Sequence, residues 1–218
     1  MRISKSNLIK IIAASGVFGA LATLLYLVPG FQFPIFPGVP FLKIHFDEII
    51  CLFGSLAYGP LVGFITIIIK GVFKLITDLG ETGGVGVLCD LFYGFALVLP
   101  AAIYYKYHKN FKGALIGLGI GFVVYLISTC LIGYYLFYPL YGFFFNPSAS
   151  SYEEAMNTVA SLFIAADGSI TGWQDFKIIY QFILPFNLIK GGVVVTMTIL
   201  IYKPLRVLIE KIKLKKAK

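Results

Sequence analysis

The sequence is poor in charge: only 13% of its 218 residues are Asp, Glu, Lys or Arg, about half the share of an ordinary soluble domain. Histidine occurs twice, as His45 and His108, and no His, Cys and carboxylate cluster has the spacing of metal ligands, so a metal site is not expected. No Gly-Lys-Ser/Thr follows any glycine-rich stretch, so the chain lacks a phosphate loop and is not expected to hydrolyse ATP by itself. No nucleophile shares a helix face with a plausible base, which argues against an enzyme, including an intramembrane one. The three cysteines, Cys51, Cys89 and Cys130, sit in or beside apolar segments and read as small packing residues, too few for a disulfide framework.

What the chain does have is apolar length. It is 59% hydrophobic with a mean hydropathy of +0.89, the composition of an integral membrane protein, read as one domain over 1–218. Apolar segments recur six times, at about 8–28, 49–58, 61–76, 87–105, 113–138 and 176–203. The first continues past signal-peptide length and reads as a retained span. The expected fold is an all-α membrane protein with six transmembrane helices.

The first segment carries Gly16, Gly19, Ala20 and Thr23. Gly16 and Ala20, four apart, make a small-residue face on which another helix can pack, inside the protein or from a partner. Four prolines and two glycines in 29–40 exclude a regular helix there, and the aromatic residues among them suggest an irregular loop folded back on the protein. Residues 41–46 alternate as a short strand, and Asp47-Glu48 are placed to cap the short second segment. Gly59-Pro60 turns the chain into the third, which holds Lys70 and Lys74 on one face; Lys74 is expected at the interface, Lys70 at the interface or a lumen. A glycine-rich turn follows over 78–86. Asp90 falls in the first turn of the fourth segment, where the helix macrodipole favours an acid, or in a ligand site. The fifth ends in an aromatic, irregular stretch, 138–147, whose Asn146 needs partners for its amide. The polar stretch 148–173 has a helical pattern over 152–166.

The sixth segment carries the most specific signal. Asn187 and Lys190 are three apart and share a helix face. A lysine at mid-span costs about 2.5–3.5 kcal/mol on insertion scales and needs a polar partner or a wet cavity. The interface is roughly 15–20 Å away by helix rise, beyond a lysine stem. Gly191 and Gly192 leave room for close packing.

Charge placement sets the expected topology. With six spans, both termini, Arg2, Lys5, Lys10, the basic loop at 106–112 and the basic tail fall on one side, and Lys43, Asp47, Glu48, Asp78, Glu81, Glu153, Glu154, Asp167 and Asp175 on the other. The positive-inside rule makes both termini cytoplasmic and the loop after helix 1 extracellular. The net charge of +8 is thereby explained without nucleic acid, and the tail lysines can touch anionic lipid of the bilayer.

Phe41-Leu42-Lys43-Ile44-His45-Phe46-Asp47-Glu48 followed by Tyr58-Gly59-Pro60-Leu61-Val62-Gly63, then Pro139-Leu140-Tyr141-Gly142 with Asn146, and Pro185-Phe186-Asn187-Leu188-Ile189-Lys190-Gly191 resemble the motifs of S components of energy-coupling factor transporters, in their riboflavin-specific branch. The resemblance implies a substrate-binding subunit in the bacterial cytoplasmic membrane. It would capture riboflavin outside, in a pocket closed by the loop after helix 1, and deliver it inward with a transmembrane T subunit and two ABC ATPases. Riboflavin is then the transported ligand and no cofactor is implied. Asn146, Asn187 and Lys190 would donate hydrogen bonds to flavin or ribityl oxygens, with Asp90, Phe41, Leu42 and Tyr141 in the same site. Gly16, Gly19, Ala20 and Thr23 would face the T subunit. The chain departs from the branch at His45, usually Asp, at Asp47-Glu48 in place of Ser-Asp, at Gly71 and Asp90, each in place of Asn, and in the length of 148–173. These departures leave room for another flavin such as FMN, or another vitamin. The alternative from a different class is a non-transport membrane accessory protein, in which Lys190 pairs with Asp90 or Asn187.

Overall fold

A computed structural model describes the backbone of residues 5–28, 33–34, 39 and 42–216, and the side chains of all of these except 33–34, 78–81 and 203–216. Phe41 and most of the loop at 29–40 therefore lie outside the described residues, as do the side chains of Asp78, Glu81 and the basic tail.

The elements in chain order are α1 (Lys5–Leu27), β1 (Phe33–Pro34), β2 (Lys43–Ile44), α2 (Asp47–Tyr58), α3 (Pro60–Thr82), α4 (Val85–Tyr107), α5 (Phe111–Ser128), a π-helical stretch (Thr129–Phe137), α6 (Tyr138–Phe145), α7 (Tyr152–Ala166), a second π-helical stretch (Ile178–Ile183) and α8 (Leu184–Lys216). Among the described residues, five helical runs, Lys5–Leu27, Pro60–Thr77, Val85–Tyr107, Phe111–Phe145 and Ile178–Tyr202, are long and apolar enough to cross a membrane. The segment expected at 49–58 is α2, with 12 residues. At about 1.5 Å per residue it rises about 18 Å, well short of a hydrocarbon core of about 30 Å.

Local sequence explains most boundaries. Gly59 takes a φ of 105°, open to glycine but strained for other residues, and Pro60 then starts α3 with the fixed φ that a first helical turn accepts. The turn expected over 78–86 is much tighter: α3 continues to Thr82, and the chain reverses on Gly83 and Gly84 alone, with φ of 57° and 84°. Because α4 begins at Val85, Asp90 lies past the first turn, and the macrodipole does not account for it. Asp47 and Glu48 do not cap α2 from outside. They are its first two residues, the N-cap is Phe46, and no side-chain cap bond forms.

The stretch at 138–145, expected to be irregular, is helical. Pro139 sits in the first turn of α6 directly after the π-helical residues, where the i→i−4 ladder is already interrupted, so its missing N–H breaks little. The pattern over 152–166 forms α7, whose Ser151 cap accepts from the Glu154 N–H at 3.2 Å. The short strand shrinks to Lys43–Ile44, paired antiparallel with Phe33–Pro34.

Helix α3 packs on α1, α2 and α4; α4 packs on α5; α5 and α2 pack on α8. Two apolar cores result. One gathers Ala22, Leu52, Ile67, Leu97, Leu118 and Tyr125 among the long helices. The other lies beneath α7, around Met156, Phe163, Tyr138, Phe182 and Phe186. The small residues of α1 divide between two faces. Gly19 and Thr23 are buried, and a Cβ on Gly19 would meet Ile69 at 2.7 Å; Gly16 and Ala20 point away from the bundle.

Gly191 is where α8 meets α5: a Cβ there would lie 2.6 Å from the Phe122 ring and 3.0 Å from Tyr125, whereas one on Gly192 meets nothing within 4 Å. Gly191→Ala is expected to destabilise by about 1–3 kcal/mol through overpacking, and Gly192→Ala to be neutral or mildly stabilising, read as thermal unfolding in detergent.

Candidate functional site

Six ionisable side chains from four helices converge at the N-terminal end of α2. Lys70, wholly buried, places its Nζ 2.5 Å from Asp47, 2.8 Å from Asp90 and 3.9 Å from Glu48. Lys74 lies 3.6 Å from Asp90, and Lys190 lies 3.4 Å from Glu48. Burying charge is costly, and close pairing is what offsets that cost. Three cations face three carboxylates. Asp47, Glu48 and Asp90 have oxygens within 4.8 Å of one another, the geometry of a cation site, but the Lys70 ammonium already sits among them.

These pairs revise several sequence expectations. Lys74 is 5% exposed and does not reach an interface. Its ammonium sits over the Tyr26 ring, 4.3 Å from the centroid, a cation–π contact strengthened by exclusion of water. The partner of Lys190 is Glu48, not Asp90 or Asn187. Asp47 and Glu48 leave the outer charge count and enter the bundle, because the short α2 starts at the depth of the lysines.

Against this network lies a cavity of about 380 Å³, within the range of small-molecule sites. Aromatic groups form much of its wall: Tyr26 from α1, Tyr93 from α4, Tyr138, Tyr141 and Phe145 from α6, and Phe186 from α8. Leu42, Lys43 and His45 close one side, and Cys89, Asp90, Lys74, Thr129, Asn187 and Lys190 add polar or polarisable atoms. Asn187 is held on two sides: its Oδ1 accepts from the Tyr125 hydroxyl at 2.5 Å, and its Nδ2 donates to the Ile183 carbonyl at 2.8 Å. The second N–H of that amide remains for a ligand. His45 is buried against Tyr26, ring centroids 5.0 Å apart. Burial, with the Lys190 and Lys74 cations nearby, holds its pKa well below the usual imidazole range, so the ring is neutral at physiological pH.

Of the residues expected at the site, Leu42, Asp90, Tyr141, Asn187 and Lys190 line this one cavity. Asn146 is not brought to it. It ends α6, accepting from the Ser148 N–H at 3.3 Å and donating to the Thr158 hydroxyl of α7 at 3.4 Å. Sequence reasoning missed Tyr26, Lys74, Tyr93 and Tyr138. Lys74 and Tyr93 had a signal, each being on the same helix as an acid or lysine already singled out and one turn away.

A helical bundle with several membrane-crossing segments, enclosing an aromatic cavity with fixed polar groups, defines a multi-pass membrane protein built to hold a small molecule. The family model for the ECF transporter, substrate-specific component, matches residues 10–202, and the chain belongs to that family. It is 30% identical over 198 residues to the riboflavin transporter FmnP of Bacillus subtilis, covering 89% of this chain and 93% of the relative. It is 25% identical over 192 residues to the riboflavin transporter RibU of Staphylococcus aureus, covering 88% and 89%. The fold matches that of a solved S component of a bacterial ECF transporter with a TM-score of 0.64 at 23% identity, over 92% of this chain and 97% of that one.

Lys70→Met leaves Asp47 without its closest cation at zero exposure. Loss of about 3–5 kcal/mol is expected, the cost of breaking a buried pair from one side. Lys74→Met should cost less, since Asp90 keeps Lys70. Thermal unfolding followed by labelling of the buried Cys51 checks both.

Proposed function

We propose that this S component captures riboflavin from outside the cell in the aromatic cavity and delivers it inward with a T subunit and two ABC ATPases. One observation carries the reading: Asn187 and Lys190, the pair that defines the helix 6 motif, face one cavity together with Leu42, Tyr141 and Asp90. A flavin offers a broad flat ring with polar edges, which suits aromatic walls carrying a few positioned donors. The names of the B. subtilis and S. aureus relatives support the same ligand.

In this reading the protein lies in the bacterial cytoplasmic membrane, crosses it six times with α2 counted as the short second crossing, and keeps both termini inside. The basic loop between α4 and α5 then faces the cytoplasm, and α7 with Glu153 and Glu154 lies outside, as the positive-inside rule favours. The end of the cavity lined by Leu42 and Lys43 then faces outward. The outward face of α1, Gly16 and Ala20, meets the T subunit, while Gly19 and Thr23 hold α1 to α3.

The test is a titration of ligand-stripped protein in detergent, followed by quenching of riboflavin fluorescence. One-to-one saturation is expected. Asn187→Ala and Lys190→Ala should each weaken binding by about tenfold or more, the value of a hydrogen bond to the ligand, and Asn146→Ala by less than about twofold. A flat titration by folded protein removes riboflavin as the ligand, and FMN is then titrated in its place. The two faces of α1 separate in a second experiment. Gly16→Leu should weaken co-purification of the T subunit and leave the titration unchanged. Gly19→Leu should lower thermal stability, because its side chain collides with Ile69.

A further inference from the structure

A second cavity, of about 320 Å³, lies where the α2–α3 turn meets the end of α4. Its wall includes Tyr58 and Pro60 from the turn, Tyr105 from α4, and Lys106 and Lys109 from the end of α4 and the loop after it. It shares no lining residue with the aromatic cavity. Both lysines are exposed, and no Asp or Glu is among the described residues that line it.

The charge balance favours an anion. Lys106 lies in the last turn of α4, where helix carbonyls attract cations, but Lys109 lies beyond the helix. The ends of α2 and α4 each contribute about half a negative charge and the start of α3 about half a positive one. Against two full lysine charges, these partial charges leave the cavity net positive.

The surroundings select the kind of anion. The candidate spans Pro60–Thr77 and Val85–Tyr107 begin and end here, so the cavity sits at one edge of the apolar zone. Tyr58 and Tyr107, both exposed at this level, suit a membrane–water boundary. Leu61, on the cavity wall, starts a row of exposed apolar side chains along α3, followed by Phe64, Ile68 and Val72. They are three or four residues apart and therefore share one face. A free phosphate gains nothing from that row, whereas a phospholipid uses both parts.

We propose that this cavity binds one anionic phospholipid, with Lys106 and Lys109 holding the headgroup phosphate and an acyl chain lying along the α3 row. The site is separate from the aromatic cavity and does not depend on the riboflavin reading.

The experiment counts lipids bound to the delipidated full chain in an uncharged detergent by native mass spectrometry, each variant first shown folded by its thermal transition. Wild type should saturate at one phosphatidylglycerol and bind phosphatidylcholine at least about tenfold more weakly. Lys106→Gln combined with Lys109→Gln should weaken phosphatidylglycerol by about thirtyfold, the worth of two lysines at an anionic surface. Ala57→Phe places a ring on the cavity wall without changing charge, and should weaken it by about tenfold. Lys215→Gln combined with Lys216→Gln removes the same charge from the basic tail and should change it by less than about twofold. Three results each overturn the proposal. Equal loss in the tail variant means general attraction rather than a site. Displacement of the lipid by glycerol 3-phosphate at equal concentration means a site for a free phosphate ester. A cavity variant that keeps its lipid but no longer co-purifies with the T subunit means a protein contact.

Discussion

A lysine with no exposure to solvent has to be surrounded by compensating charge, and the arrangement of this protein follows from that demand. Lys70 projects from α3 into the middle of the bundle, and the carboxylates that meet it come from α2 and α4. Glu48 extends the network to Lys190 on α8. Because each pair joins different helices, the network fixes their relative depth and rotation, which apolar packing in a lipid environment specifies less sharply. Its net contribution to stability is small, since desolvation offsets attraction, but its breakage is costly. The short α2 makes the network possible: its first two residues are acids that lie level with Lys70 and Lys190.

The cavity is built on this floor. Lys190 and Asp90 belong both to the network and to the lining, so the groups facing a ligand are held before the ligand arrives. Asn187 is fixed likewise by Tyr125 and Ile183. Such preorganisation reduces the ordering cost of binding. The tyrosines and phenylalanines supply flat apolar surface, and the π-helical stretches at 129–137 and 178–183 contribute Thr129 and Ile183 to the lining. Wide turns of this kind re-aim side chains without ending a helix.

Hydropathy and period placed the starts of the long helices and of α7 within a few residues, because membrane burial writes itself into runs of apolar residues. The requirement of a partner for Lys190 was legible for the same reason. Which partner was not. Asp47-Glu48 follow a proline-rich loop and read as outer-surface acids, since nothing local reveals that α2 starts among the buried lysines. Asp90 and Lys74 each had a sufficient local explanation, macrodipole and interface, and the bundle overrode both. Asn146, expected at the site because it is polar among aromatics, ends α6 and bonds Ser148 and Thr158. The break at Gly83-Gly84 was blurred by further glycines nearby that continue the helices.

The balance of three lysines against three carboxylates has an electrical consequence. A transmembrane potential acts on net charge, about 2.3 kcal/mol per elementary charge per 100 mV. The buried network sums to zero, and an uncharged vitamin bound above it adds nothing. With all six groups ionised, these side chains as a set therefore neither gain nor lose energy from the voltage.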